Sequence, residues 1–216
     1  MVAARYAFPL LDLNLKDVLS TFSGIRAVVD TGKTDPSKES REHAIWQEDG
    51  LVTVTGGKLT TFRVMAHDAL RAIRHRLPGH PHLDRKLRML DDPPVEALLD
   101  TNLDAPTRLH LLGRYGVHAP MVIATAEEGE LEPIGETTTL WAELRWTARS
   151  EAVLHLDDLL LRRQRLGIIA PQGGIPWLEK IRRITQSELG WDDQRWQQEA
   201  EAYTQLWHRS YSLPTT

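Results

Sequence analysis

The sequence predicts an α+β chain in two unlike parts, a β-rich segment followed by an all-α helical domain. Three observations predict this. Two β-prone stretches, at 18–30 and 43–55, fill the first part and are separated by breakers. From Leu59 the apolar spacing changes from two residues to about 3.6. Beyond a polar, proline-bearing stretch at 80–94, the periodic segments all carry helical spacing. Residues 1–79 therefore read as a first domain, 80–94 as a linker and 95–216 as a helical C-terminal domain.

Each element has its own reason. VLSTFSGIRAVVD (18–30) is rich in β-branched and aromatic residues around Gly24, and it breaks down at TGKTDPSKES (31–40), a loop by composition. HAIWQ (43–47) and LVTVT (51–55) flank a connection ending in Asp49-Gly50, the form of a β-hairpin. Leu59, Phe62, Ala66, Ala69, Leu70, Ile73 and Leu77 then share one helical face, and Pro78-Gly79 stops that helix. In the second part the spacing predicts helices over 105–115, 119–128, 137–149, 151–165, 176–189 and 192–210, three of them closed by Gly116, Gly129 and Gly190. DDLLLRRQR (157–165) places acids in its first turn and arginines in its last, which complements the helix dipole. A small helical bundle is the economical packing for such a set.

Composition bounds the function. The 216 residues are 41% hydrophobic and 26% charged, as expected of a globular chain with a real core. A net charge of −4 gives no electrostatic case for nucleic acid, which needs a basic face. The absence of cysteine removes disulfides, thiolate metal sites and cysteine nucleophiles, and it fits a reducing compartment. No apolar run approaches the ~20 residues of a membrane span. The expected location is the cytoplasm, with peripheral attachment to the cytoplasmic membrane left open. Six of the seven tryptophans follow residue 140, which points to a well-filled core there. The nine histidines include no set with convincing ligand spacing, so no metal is expected.

The stretch most suggestive of chemistry is GGKLTT (56–61). A strand delivers the chain to Gly56 and Gly57, where missing side chains permit close approach to a ligand. A helix starting near Leu59 presents N–H groups without intrahelical partners, suited to an anion or an electron-rich carbonyl edge. Lys58 adds a positive charge, and Thr60 and Thr61 offer hydroxyls. The spacing is not that of a P-loop, and a plain strand–helix turn explains the glycines as well. Arg26, inside a β-prone run, and Arg41, in SRE, each have an ordinary surface ion-pair explanation. With Lys58 they also form a cation trio suited to a phosphorylated substrate. Arg162, Arg163 and Arg165 at a helix end are explained first by the dipole.

The succession FSGIRAVVD, PSKESREHAI and LVTVTGGKLTTFRVMAHDAL resembles the FAD-dependent, quinone-linked glycerol-3-phosphate dehydrogenases. LWAELRWTARSEAVLHLDDLLLRRQRLGI (140–168) resembles the helical C-terminal domain of the same family, which the glycerophosphate oxidases share. The resemblance implies that the first part is a truncated segment of a flavoenzyme substrate/FAD domain. It implies that Arg26 faces the reacting end of glycerol 3-phosphate, that Arg41 holds its phosphate, and that Lys58 lies between substrate and flavin. Gly56, Gly57, Lys58, Leu59 and Thr60 would line the pyrimidine edge of the isoalloxazine. The implied catalytic residues are Arg26 and Lys58. The reaction implied is oxidation of glycerol 3-phosphate to dihydroxyacetone phosphate, with electrons passed to quinone.

Departures limit this. No GxGxxG occurs, so the dinucleotide-binding half with the pyrophosphate site is expected upstream, and this chain alone is expected to be inactive and not to retain FAD. AVV (27–29) stands where relatives carry Arg-Pro-Leu after the arginine. Three alternatives stand beside the main reading: a stand-alone helical dimerisation or interaction module, a split enzyme completed by a separate FAD-binding chain, and an oxidase using oxygen. A homodimer is compatible with all of them.

Overall fold

A computed structural model of the chain describes residues 2–25, 42–79, 84, 86 and 91–214. It divides into two compact units, Met1–Ser23 with Asp91–Thr216, and Gly24–Leu90. The first 23 residues thus group with the helical unit and not with the hairpin.

In the smaller unit, β1 (His43–Glu48) and β2 (Leu51–Gly56) form the expected antiparallel hairpin, with His43 opposite Gly56 and Glu48 opposite Leu51. Asp49 (φ 47°) and Gly50 (φ 88°) are both left-handed, as a two-residue turn matching the strand twist requires. A 3-10 turn at Leu59–Thr61 leads into α2 (Phe62–Ala72), which packs on both strands. Gln47 Nε2 donates to the Ala72 carbonyl at 3.0 Å, and Arg76 donates to the Gly50 carbonyl at 2.8 Å. No described residue of this unit is buried.

In the larger unit α1 (Val2–Ala7) is exposed along its length. The described part of the expected strand at 18–30 forms no sheet. Its polar groups bond elsewhere in the helical unit: Ser20 Oγ to the Ile168 carbonyl at 2.7 Å, Thr21 N–H to the Tyr211 carbonyl at 2.8 Å and Thr21 Oγ1 to the Ser212 carbonyl at 2.9 Å. β-propensity becomes a strand only where a partner edge accepts the backbone bonds.

The helices that follow are α3 (Ala105–Tyr115), α4 (Ala119–Ala124), α5 (Trp141–Ser150), a π-helical segment (Asp158–Arg163), α6 (Leu166–Ile169), α7 (Leu178–Thr185) and α8 (Asp193–Ser210). Asp104 caps α3 through the Thr107 N–H, and Asp192 caps α8 through the Arg195 N–H. Four expected helices are shorter than their apolar spacing suggested: that at 119–128 stops at Ala124, that at 176–189 gives an α-helix only over Leu178–Thr185, and those at 137–149 and 151–165 start late. Residues 137–140 stay outside α5, held by the Pro133–Leu140 bridge and by Glu143 accepting from the Leu140 N–H. Residues 151–155 form no helix, with Ala152 left-handed at φ 51°, and the helix that starts at Leu156 becomes π-wound from Asp158.

α5 stands between two cores. Trp141 and Leu144 enter one with Ile134, Leu156, Leu159, Leu160, Leu166, Ile181, Trp196, Tyr203 and Trp207. Ala142 and Trp146 enter the other with Leu98, Leu111, Tyr115, Ala119 and Val122. The late tryptophans are therefore core residues, with Trp177 and Trp191 packed at the margin. Trp207 Nε1 donates to the Gly167 carbonyl at 2.7 Å and ties α8 to α6.

Candidate functional site

β2 ends on Gly56, and the chain turns through Gly56 (φ 76°) and Gly57 (φ 79°) before the 3-10 turn. The glycines have a reason inside the chain. A Cβ on Gly56 would stand 2.6 Å from the Glu42 carbonyl oxygen, and one on Gly57 would stand 2.3 Å from Met65 Sδ. Left-handed backbone disfavours other residues at both positions, and at Gly56 the contact with the backbone oxygen of Glu42 adds a barrier that no side-chain movement relieves. The start of the helix is also one turn later than its sequence suggests. Thr61 Oγ1 accepts from the Lys58 N–H at 3.0 Å and donates to the Lys58 carbonyl at 2.9 Å, closing the 3-10 turn so that α2 begins at Phe62.

Beyond this turn the loop faces outward. Lys58, Leu59 and Thr60 are exposed, and Leu59 keeps 88% of its surface in solvent. The arrangement offers one cation and the first N–H groups of the 3-10 turn along a single exposed edge, suited to an electron-rich group. It offers no cradle for a pyrophosphate. Of the residues expected at the site, Gly56, Gly57, Lys58, Leu59 and Thr60 are contiguous here. Arg26 and Arg41 lie outside the described residues.

A polar pair beside this loop escaped the sequence reading. His43 Nε2 lies 3.1 Å from Asp68 Oδ2, both half-buried, which fastens the first residue of β1 to the middle of α2. A Cβ on Gly57 would be 3.4 Å from His43 Cβ, so the pair stands directly behind the glycine turn. The two residues are 25 positions apart, and only the hairpin register brings them together.

The helical unit holds two buried polar centres. Glu143, fully buried, accepts from the Leu140 N–H at 2.8 Å and Tyr115 OH at 2.8 Å, with His110 Nε2 at 3.0 Å and Arg114 Nε at 3.4 Å. Burial, then the Glu143 charge, pushes the Tyr115 phenol well above its usual range. Gln164 Nε2 closes the group by donating to Tyr115 OH, the Glu143 carbonyl and Thr147 Oγ1.

Arg145, 6% exposed at its side chain, forms the second centre. It makes a two-pronged pair with Glu130 (2.8 and 2.6 Å) and reaches Glu188 at 2.8 Å, which Arg149 also holds. Burial acts to raise the Glu130 carboxyl, but the bonds from Arg145 and the Glu127 N–H outweigh it and hold the group below the usual carboxylate range. The bond from Arg149, with that from Arg145, holds Glu188 low as well. These ion pairs read as structure. Among the described residues no cluster of three or more His, Asp or Glu could hold a metal ion, and no helix is long and apolar enough to cross a membrane.

Comparison with known proteins gives a consistent set. The family model described as the C-terminal domain of alpha-glycerophosphate oxidase matches residues 66–196. The Mycobacterium tuberculosis protein named glycerol-3-phosphate dehydrogenase 2 is 34% identical over 189 residues, covering 81% of this chain and 32% of its own length. The glycerol-3-phosphate dehydrogenase of Mycobacterium leprae is 34% identical over 201 residues, covering 87% of this chain and 34% of its own length. A mitochondrial glycerol-3-phosphate dehydrogenase of Arabidopsis thaliana is 32% identical over 224 residues, covering 88% of this chain and 35% of its own length. This chain thus spans about a third of the length of each of these relatives.

Proposed function

The chain belongs to the family of the alpha-glycerophosphate oxidase C-terminal domain, and on that premise we propose that it acts as the C-terminal part of an FAD-dependent glycerol-3-phosphate dehydrogenase. The observation that carries the reading is the contrast between the two units. Residues 42–79 carry the loop and no buried residue, whereas the helical unit has two cores of its own. A hairpin and one helix with that little burial are suited to completion by further protein.

In this reading a flavin bound in the complete enzyme would supply the hydride acceptor for C2 of glycerol 3-phosphate, and this chain's residues prepare the site. Lys58 and the N–H groups of the 3-10 turn stabilise negative charge at the flavin edge. Thr61 fixes the Lys58 backbone through its two hydrogen bonds. Arg26 and Arg41 hold the substrate at its reacting end and its phosphate. His43 and Asp68 keep the glycine turn in place. The pyrophosphate grip comes from protein outside this chain, and the electron acceptor is a quinone.

The test is a chimera. The C-terminal third of the Mycobacterium tuberculosis relative is replaced by this chain, and the product is assayed for flavin content and for glycerol 3-phosphate-dependent dye reduction. Both are expected to be present. A folded chimera that holds flavin but oxidises no glycerol 3-phosphate contradicts the proposed substrate. Oxygen consumption matching dye reduction replaces quinone by oxygen as acceptor.

A further inference from the structure

Within the string Arg162, Arg163 and Arg165, the first two are accounted for. Arg162 pairs with Asp157 at 2.6 Å and Asp158 at 3.0 Å, and Arg163 Nε donates to the Glu151 carbonyl at 2.8 Å. Arg165 differs. Its guanidinium has no hydrogen-bond or ion-pair partner among the described residues. Its backbone is left-handed (φ 57°, ψ 15°), a conformation arginine rarely adopts, directly after the π-helical segment.

Arg165 lines a shallow, open surface depression of about 530 Å³ with Pro106, Leu109, His110, Gly113 and Arg114, which share one face of α3. Gly113 is interior to that helix, and a Cβ there would meet nothing within 4 Å. Packing does not ask for glycine, although glycine weakens a helix. What glycine provides at this position is open floor. The charges are unbalanced too. Among the described residues Glu143 is the one carboxylate paired with His110 and Arg114, and it also accepts from Tyr115 OH and the Leu140 N–H. Arg114 is partly committed, its Nε to Tyr115 OH and Glu143 and its Nη2 to the Arg163 carbonyl, which leaves its Nη1 and the whole Arg165 guanidinium as cationic donors at this surface.

We propose that this pocket is a binding site for a phosphate monoester, held between Arg165 and Arg114 with His110 at its edge. Paired guanidinium forks match phosphate oxygens, and the Pro106 and Leu109 walls accept a short carbon chain. The site is built from helical-unit residues alone, so it does not depend on the flavin-edge reading of Lys58.

The full chain, isotopically labelled, is titrated with inorganic phosphate at constant ionic strength while the amide resonances of Gly113 and Arg114 are followed. A saturable shift at both is expected, absent when chloride replaces phosphate. Arg165→Gln is expected to weaken binding at least tenfold, and Gly113→Leu to abolish it while resonances outside α3 keep their positions. Equal shifts with chloride, or full affinity in R165Q, overturns the proposal. Should G113L perturb the fold, R165Q on the exposed surface decides alone.

Discussion

At the scale of single residues, Arg145 and Lys58 show the two fates of a cation in this chain. Arg145 is buried and answered by Glu130 and Glu188, so its work is structural. Arg145→Met leaves the Glu130 carboxylate buried without its partner and is expected to cost about 3–5 kcal/mol, read from denaturant unfolding. The same pair sets an acid limit. Glu130 and Glu188 titrate below their ordinary value of 4.5, so the stability they contribute is present above that pH and is lost as pH falls through the lower folded values. The Tm is expected to drop below about pH 4.5, and R145M is expected to flatten that drop, since the pairing that depresses Glu130 is gone. Lys58, by contrast, is exposed at the end of a turn that Thr61 stitches closed. Its type and position were legible in the sequence. The reason for the glycines before it was not, because Glu42 and Met65 approach them only through the hairpin and the helix packing.

At the scale of elements, the hairpin was legible almost residue for residue, because a two-residue Asp-Gly turn and β-branched runs act locally. The ends of α3 and α8 were legible for the same reason, with Asp104 and Asp192 as their caps. What local pattern misread was set by distant partners. The β-prone segment at 18–25 spends its hydrogen bonds on residues 168, 211 and 212. The segment at 151–165 has helical spacing but enters its helix only at Leu156, just before the π-wound turn. Gly113 belongs to this scale as well. Gly113→Ala adds a methyl group to an open helix position and is expected to stabilise the chain by about 0.5–1 kcal/mol, measured by chemical denaturation. A destabilised G113A would mean that α3 needs glycine for its packing.

At the scale of the whole molecule, the division of labour is the main result. The helical unit has two cores joined by α5, whereas the hairpin unit exposes the loop and buries nothing among its described residues. The motif blocks in the sequence pointed to the family that comparison established. Sequence reading could not find the His43–Asp68 clamp or the Glu143 centre, whose bonded members are 25 and up to 49 residues apart and meet only in the fold. The central claim is that the loop at Gly56–Thr60 meets a flavin at the site of glycerol 3-phosphate oxidation. Its most direct test is the rate of anaerobic flavin reduction by glycerol 3-phosphate in the chimera, with Lys58 present and with Lys58→Met. The account predicts a reduction rate about a hundredfold lower in K58M at unchanged flavin content. Equal rates in the two proteins would contradict it.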